Sequence, residues 1–377
     1  MRSETMRSLH PAAIAGERPV RIMVVDDSAV VRGVVAHWVG QAAGFDLVAA
    51  APNGRVALDL LAEAKPDIVL LDLDMPELDG LATLPLLVAR RPGLSVIVVS
   101  TLTQRNAVIS LRCLAAGALD YLPKPSTQHE AATSLDFRRE LMGRLEALAG
   151  RYRAPVTPHT ASRPAKAAER LPQPTMLRAD APRPRCLLIG ASTGGPRAVI
   201  KLVKGLARVA ERVPILVVQH MPPIFTTVFA EQVANETGLP AREAEDGERL
   251  EAGRLYLAPG GRHLGLALLE GAEVGIRLDD GEPVRHCRPA VDVLFHDAAR
   301  LFGAATLGVV LTGMGADGTE GARAIVKAGG SIIAQDEFTS TVWGMPGSIV
   351  KAGLARSVLP LDAIAPALEA AFGRSGP

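Results

Sequence analysis

Short apolar runs alternate with segments of helical period over two stretches of the chain, and the interval from Gly150 to Pro184 shows neither pattern. Between Val20 and Lys124 the runs "RIMVVDD", "FDLVAAAPN", "DIVLLDLDMP", "SVIVVST" and "DYLPKP" are separated by "SAVVRGVVAHWVGQ", "GRVALDLLAEAK" and "RNAVISLRCLAAGA". Strands apolar on both faces, alternating with helices, predict a parallel sheet covered on each side. Five strands make a small doubly wound domain. "SLDFRRELMGRLEALA", near residues 134–149, places Leu141, Met142, Leu145 and Leu148 on one helical face and reads as a last helix leading out of it. The Pro-, Ala- and Arg-rich interval that follows has the composition of a linker. A second alternating block then supplies the strand candidates "CLLIG", "PILVVQH", "RLYLAP", "LGVVLTG" and "SIIAQD", predicting a second α/β domain with a mostly parallel sheet.

A chain of 377 residues with 48% hydrophobic residues has material for two cores. With 41 basic against 40 acidic residues, no global charge bias points to nucleic acid or an anionic membrane, and no basic recognition helix suggests a DNA-binding regulator. Cys113, Cys186 and Cys287 are far apart and lack metal-cluster spacing, which argues against a disulfide framework and for the cytoplasm. Residues 1–18 lack the apolar core of a secretion signal, and no run approaches the roughly 18 apolar residues of a membrane span, so no membrane insertion is expected.

In the first domain Asp26 and Asp27 end the first strand and Asp72 ends the third. C-terminal ends of parallel strands converge on one crevice, so these carboxylates should meet. Clustered like charges need a cation, and oxygen ligands with water suit Mg²⁺. Ser100 and Lys124 follow the fourth and fifth strands at the same edge, adding a hydroxyl and an ammonium. This is the equipment of phosphoryl transfer to a carboxylate. Capping of helices explains any one such Asp equally well, but not the full ordered set. The set resembles a two-component receiver domain over about residues 19–138. That resemblance implies Asp72 as phospho-acceptor, Asp26, Asp27 and the backbone carbonyl of Asp74 around Mg²⁺, Ser100 and Tyr121 as a switch pair, and Lys124 on the phosphate.

In the second domain Gly190-Ala191-Ser192-Thr193-Gly194 matches G-x-S-x-G between a predicted strand and a helix, the setting of a nucleophilic serine. Gly190 to Gly195 also has P-loop spacing, but Pro196-Arg197 stands where Lys-Ser/Thr should follow. A serine needs a base. His10, His129 and His159 lie in the extension or near the linker, and His37 lies in a first-domain helix. His296 falls in a helical segment, and His263 and His286 in loop-like or short-strand surroundings. Only His220 closes a clean apolar strand at the edge where Ser192 should sit. For the third member, Asp317 competes with Asp336, while Asp292 and Asp297 read as ordinary helix-surface residues. Gly313, Gly315 and Gly318 favour Asp317, because such a loop brings backbone N–H groups close to a reacting centre. The order Ser–His–Asp departs from the Ser–Asp–His order of ordinary α/β-hydrolases.

The motifs "IGASTGG", "QHMP", "LAPGGRH", "RPAVDVLF", "LTGMGADG" and "WGMP" resemble the catalytic domain of the chemotaxis protein-glutamate methylesterase (CheB) family over about residues 184–373. The resemblance implies a triad of Ser192, His220 and Asp317, with Thr193 and the Met314 backbone near the oxyanion and no cofactor for the esterase. It also implies methylated chemoreceptors as substrate, a chemotaxis histidine kinase as phosphoryl donor, and a receiver that covers the Ser192 crevice until Asp72 is phosphorylated. One departure stands out: Cys287 and Ala290 replace a His and a Ser usual in the family around Arg288-Pro289. The expected organisation is a disordered extension over 1–18, a receiver over 19–138, a helix and linker over 139–183, and a methylesterase domain over 184–374. The rival reading is a response regulator whose output domain binds a nucleotide or partner without catalysis.

Overall fold

A computed structural model describes residues 18–125, 127, 130, 133–153 and 182–373. They form two compact units, residues 18–153 in one and 182–373 in the other. The extension before Arg18 and the interval 154–181, where the linker is expected, lie outside the described residues.

In the first unit β1 (Val20–Val25), β2 (Phe45–Ala51), β3 (Ile68–Asp72), β4 (Ser95–Thr101) and β5 (Asp120–Lys124) pair in parallel in the order β2–β1–β3–β4–β5. This is the doubly wound sheet expected from the apolar runs. Each crossover helix begins at a polar residue whose side chain accepts the backbone N–H three positions on. Ser28 starts α1 (Ala29–Gln41), Asn53 starts α2 (Gly54–Ala64), Asp79 starts α3 (Gly80–Arg90) and Thr103 starts α4 (Gln104–Ala116). Pro123 cannot donate to a ladder, and β5 is an edge strand accordingly.

The expected last helix is α5 (Leu135–Arg153), and it continues past Ala149. It buries Phe137, Leu141, Leu145, Leu148 and Ala149, whereas Met142 is only half-buried. Phe137 meets Trp38 edge-on with centroids 6.0 Å apart. The extra turn is held by tertiary contacts: Tyr152 donates its hydroxyl to Asp67 O at 2.9 Å and Arg153 donates to Gly44 O at 3.2 Å, while earlier in the helix Arg144 pairs with the buried Asp120.

The second unit holds seven parallel strands in the order β14–β13–β12–β6–β7–β9–β8. They are β6 (Cys186–Ala191), β7 (Ile215–Gln219), β8 (Ala241–Glu243), β9 (Leu255–Leu257), β12 (Thr306–Val310), β13 (Ser331–Gln335) and β14 (Ser357–Leu359). A separate antiparallel hairpin joins β10 (His263–Leu268) to β11 (Val274–Asp279). The five expected strands are all present. The three-residue β8 and β14 and the hairpin were not foreseen, being too short or too weakly alternating to register.

Alternate residues of the central strands face opposite ways. Cys186, Leu188, Leu216, Val218 and Val310 join one core with Val291, Leu294 and Phe295 of α9 (Val291–Phe302), Ala322 and Ile325 of α10 (Thr319–Lys327) and Met345 and Ile349 of α11 (Met345–Lys351). The residues between them are equally buried toward the other face, where α6 (Gly195–Val203), α7 (Ala207–Ala210), α8 (Phe225–Thr237) and α12 (Leu361–Gly373) pack on one another. No described helix is long and apolar enough to cross a membrane.

Candidate active site

Strand order decides where the chemistry collects. β6 lies between β12 and β7, and the chain leaves β6 toward β7 on one side while β12 arrives on the other. A crevice opens at such a reversal beyond the C-terminal strand ends. Ser192 follows β6, His220 follows β7 and Asp317 follows β12, so the three candidates sit on adjacent strands.

The serine turn is built without strain at the serine. Ser192 N donates to Thr312 O (3.0 Å), and its carbonyl accepts from Gly195 N (2.7 Å) and Gln219 Nε2 (2.9 Å). The left-handed residue is Gly194 (φ 74°), which lets the chain swing directly into α6. Gly313 is required by proximity: a Cβ there would stand 2.8 Å from Ser192 Cβ and 2.3 Å from Met345 Sδ.

His220 N donates to Ala191 O (3.1 Å), which brings its side chain toward the serine strand. Its Nε2 lies 2.8 Å from Asp317 Oδ2. Asp317 also accepts from Val291 N (2.6 Å), Asp292 N (3.0 Å) and Gly318 N (2.8 Å). The first two are unpaired N–H groups at the start of α9, where the helix end attracts an anion. Burial disfavours the Asp317 charge, but the bonds from His220, Val291 and Asp292 overcome it and hold the carboxyl below its usual range. Burial also opposes a charged His220 ring. Its bond to Asp317 and contact with Cys287 outweigh that and raise its pKa above the usual histidine value. An ionised acceptor on Nε2 fixes the tautomer that leaves the Nδ1 lone pair as the basic site.

Ser192 Oγ makes no hydrogen bond among the described residues. Cys287 Sγ instead stands 3.5 Å from His220 Nδ1. Cys287 arrives on a tight turn in which Val284 and Cys287 exchange backbone bonds of 3.0 and 2.9 Å around Arg285 and His286. His263 braces that segment: its Nε2 donates to Glu282 O (3.0 Å) and its Nδ1 accepts from Ala290 N (3.2 Å). Thr193 and Met314 flank the serine, and neither backbone N–H donates to another group among the described residues. Such free donors are what an oxyanion site needs.

Two carboxylates differ from their expected surface roles. Asp292 is buried, accepting from Gly321 N (2.7 Å) with Arg285 3.5 Å away. Asp297 binds Leu266 N (2.9 Å) and Arg277 (3.0 Å), tying α9 to the hairpin. Their helical spacing looked ordinary because the partners come from remote segments. Asp336 caps Thr339 N (2.9 Å) and makes no bond to His220. His37, His286 and His296 are exposed, and His10, His129 and His159 lie outside the described residues.

In the first unit Asp26, Asp27 and Asp72 place carboxylate oxygens within 4.8 Å of one another. Lys124 Nζ reaches across β4 to Asp72 (2.5 Å) and Asp26 (3.3 Å). Burial is the main reason that Asp72 rises to about 6, with Asp26 adding repulsion against the opposing pull of Lys124. Asp26 is raised as well. A group of oxygens this costly to ionise together fits a hard divalent cation. Asp74 sits beside the cluster, its side chain accepting from Asn106 Nδ2 (2.8 Å). Ser100 and Tyr121 are both buried.

Comparison with known proteins agrees with both halves. A family model described as CheB methylesterase matches residues 187–368, and one described as response regulator receiver domain matches residues 22–136. A "protein-glutamate methylesterase/protein-glutamine glutaminase" from Rhodopseudomonas palustris is 46% identical over 94% of each chain. A relative from Caulobacter vibrioides with the same description, numbered 2, is 45% identical over 92% of this chain and 97% of its own. Among solved structures, the Thermotoga maritima CheB methylesterase catalytic domain is 41% identical, covering 50% of this chain and 98% of its own, with a TM-score of 0.48.

Proposed function

The chain belongs to the protein-glutamate methylesterase/protein-glutamine glutaminase family, and from that premise we propose that Ser192, His220 and Asp317 carry its hydrolysis under control of Asp72. The protein is a hydrolase with a receiver domain, acting in chemotaxis-type signalling. Its substrates are glutamyl methyl esters, and glutamines, on chemoreceptors at the membrane's cytoplasmic side.

His220 Nδ1 takes the proton of Ser192 Oγ as the oxygen attacks the γ-carbonyl. Asp317 stays ionised, holds Nε2–H and stabilises the imidazolium. Backbone N–H groups of Thr193 and Met314 meet the developing oxyanion. His220 returns the proton to the leaving group, so methanol departs from an ester and ammonia from an amide. Water, deprotonated by the same Nδ1, then releases the receptor glutamate. For the first step Cys287 must yield its place on Nδ1 to Ser192.

The observation that carries this reading is the 2.8 Å bond between His220 and an Asp317 already tied to the start of α9, one strand from Ser192. In the receiver, Asp26, Asp27, Asp72 and the carbonyl of Asp74 would hold Mg²⁺. The ion's charge supports transfer of a phosphoryl group from a histidine kinase to Asp72. Lys124 binds the phosphoryl oxygens, and Ser100 and Tyr121 pass the change onward, raising the esterase rate.

Methanol release from methylated receptor membranes, with and without a small phosphoryl donor and Mg²⁺, tests both parts. The wild type should accelerate with donor, and Asp72→Asn should keep a basal rate that does not respond. Equal responses would remove Asp72 from control, and a Ser192→Ala variant working at the wild-type rate would remove the nucleophile.

A further inference from the structure

We propose that His220 Nδ1 and Cys287 Sγ form a Zn²⁺-binding site through which this thiophilic ion reversibly inhibits the hydrolase. The inference rests on His220 being the base of Ser192.

The donors converge without rearrangement. A zinc ion bound to thiolate at about 2.3 Å and imidazole nitrogen at about 2.0 Å, in tetrahedral geometry, separates S and N by about 3.5 Å. Cys287 Sγ and His220 Nδ1 are 3.5 Å apart, and both side chains are half-buried rather than sealed. Asp317 on Nε2 supplies the carboxylate that orients a metal-bound histidine and makes it more basic. Asp317 is already saturated by three backbone N–H groups and His220, so it supports the site rather than ligating. Water fills the remaining positions.

Position and chemistry both select the ion. The Val284–Cys287 turn and its brace through His263 hold the sulfur in place. Sulfur with imidazole prefers Zn²⁺ to Mg²⁺, whereas the receiver's three carboxylates have the opposite preference. Binding displaces the thiol proton, and the proton of Nδ1 where the ring carries one, to solvent and occupies the Nδ1 lone pair. That same lone pair takes the proton of Ser192, so metal and reaction exclude one another. Cys113 and Cys186 are buried and contribute nothing.

The test uses the full chain in chelator-treated buffer with Mg²⁺ in fixed excess. Titrated Co²⁺ should give a thiolate-to-cobalt absorption band in the wild type and in Ser192→Ala, but not in Cys287→Ser. Zn²⁺ at about ten times its dissociation constant should lower wild-type methanol release about tenfold, with recovery on adding chelator. The Cys287→Ser rate should change less than about twofold under the same mass action. Zn²⁺ should also protect the wild-type Cys287 thiol from alkylation, a reading that needs no variant. A band that survives in Cys287→Ser, an unprotected thiol, or an undiminished rate at saturating Zn²⁺ would overturn the proposal. Activity retained in Ser192→Ala would instead strike at the nucleophile, while the cobalt band still reports on this site.

Discussion

Asp72 and Asp317 occupy equivalent places in two parallel sheets, each at the C-terminal end of a central strand or in the loop that follows it, and both are almost fully buried. Their surroundings give them opposite character. Asp72 has one backbone N–H, that of Leu73 (2.8 Å), a lysine and a neighbouring carboxylate, and burial pushes its pKa up to about 6. Asp317 has three backbone N–H groups and an imidazole, and its pKa falls despite burial. A carboxylate left under-solvated waits for a cation and can serve as an acceptor. One surrounded by donors is committed to holding its neighbours. Topology brings an acid to the edge, and local donors decide what it does there.

The sharpest break in that comparison is at the nucleophiles. Ser192→Ala should lower kcat for methanol release by at least about 10⁴-fold without loss of fold, whereas Asp72→Asn should leave the unstimulated rate within about twofold, since it acts only through phosphorylation. Next comes the committed carboxylate. Asp317→Asn should cost about 10³- to 10⁴-fold in kcat, because an amide can hold the wrong tautomer of His220. Circular dichroism should meanwhile show the sheet intact.

A smaller loss is expected at Gly313→Ala. Its Cβ must push aside Ser192 or Met345, so kcat should fall by about 10²-fold, as for a misplaced reacting group, with a stability loss of about 1–3 kcal/mol by denaturant titration. Little change in either would show that the turn relaxes freely.

The smallest effect concerns Asp72 in the absence of Mg²⁺. Its folded pKa is raised from 3.8 to about 6, so ionisation opposes folding. The penalty is absent below about pH 4 and grows as pH rises through 6, reaching at most about 3 kcal/mol. Asp72→Asn removes it and should stabilise the protein by about 1–3 kcal/mol at pH 7.5 in chelator, with no gain at pH 3.5. Urea midpoints at the two pH values check this, and a destabilised variant at pH 7.5 would place Asp72 with Asp317 rather than opposite it.

Much of this was legible in sequence because strand ends are. Apolar runs locate the strands, and a polar residue closing such a run must lie at the sheet edge, which is how Asp26, Asp72, Ser192 and His220 were found. The glycines after β12 pointed to Asp317, and their loop runs close to the serine, where a Cβ on Gly313 would stand 2.8 Å from Ser192 Cβ. What hid Asp292 and Asp297 is that their partners lie far off in sequence: Gly321 for one, Leu266 and Arg277 for the other. Helical spacing carries no record of such contacts. Helix α5 outran its expected end for the same reason, its last turn being held by Tyr152 on Asp67.

By itself, then, the order of apolar runs and the residues closing them pointed to a doubly wound first unit, a second α/β unit with a mostly parallel sheet, and the strand-end candidates Asp26, Asp27, Asp72, Ser192 and His220. That information is local, because period and strand length are set by neighbours along the chain. Tertiary structure alone decided that β12, β6 and β7 stand side by side, that Asp317 takes the first N–H groups of α9, and that Cys287 Sγ stands 3.5 Å from His220 Nδ1. Those are pairings between residues 25 to 120 positions apart along the chain, fixed by how the layers pack and by where buried donors find acceptors.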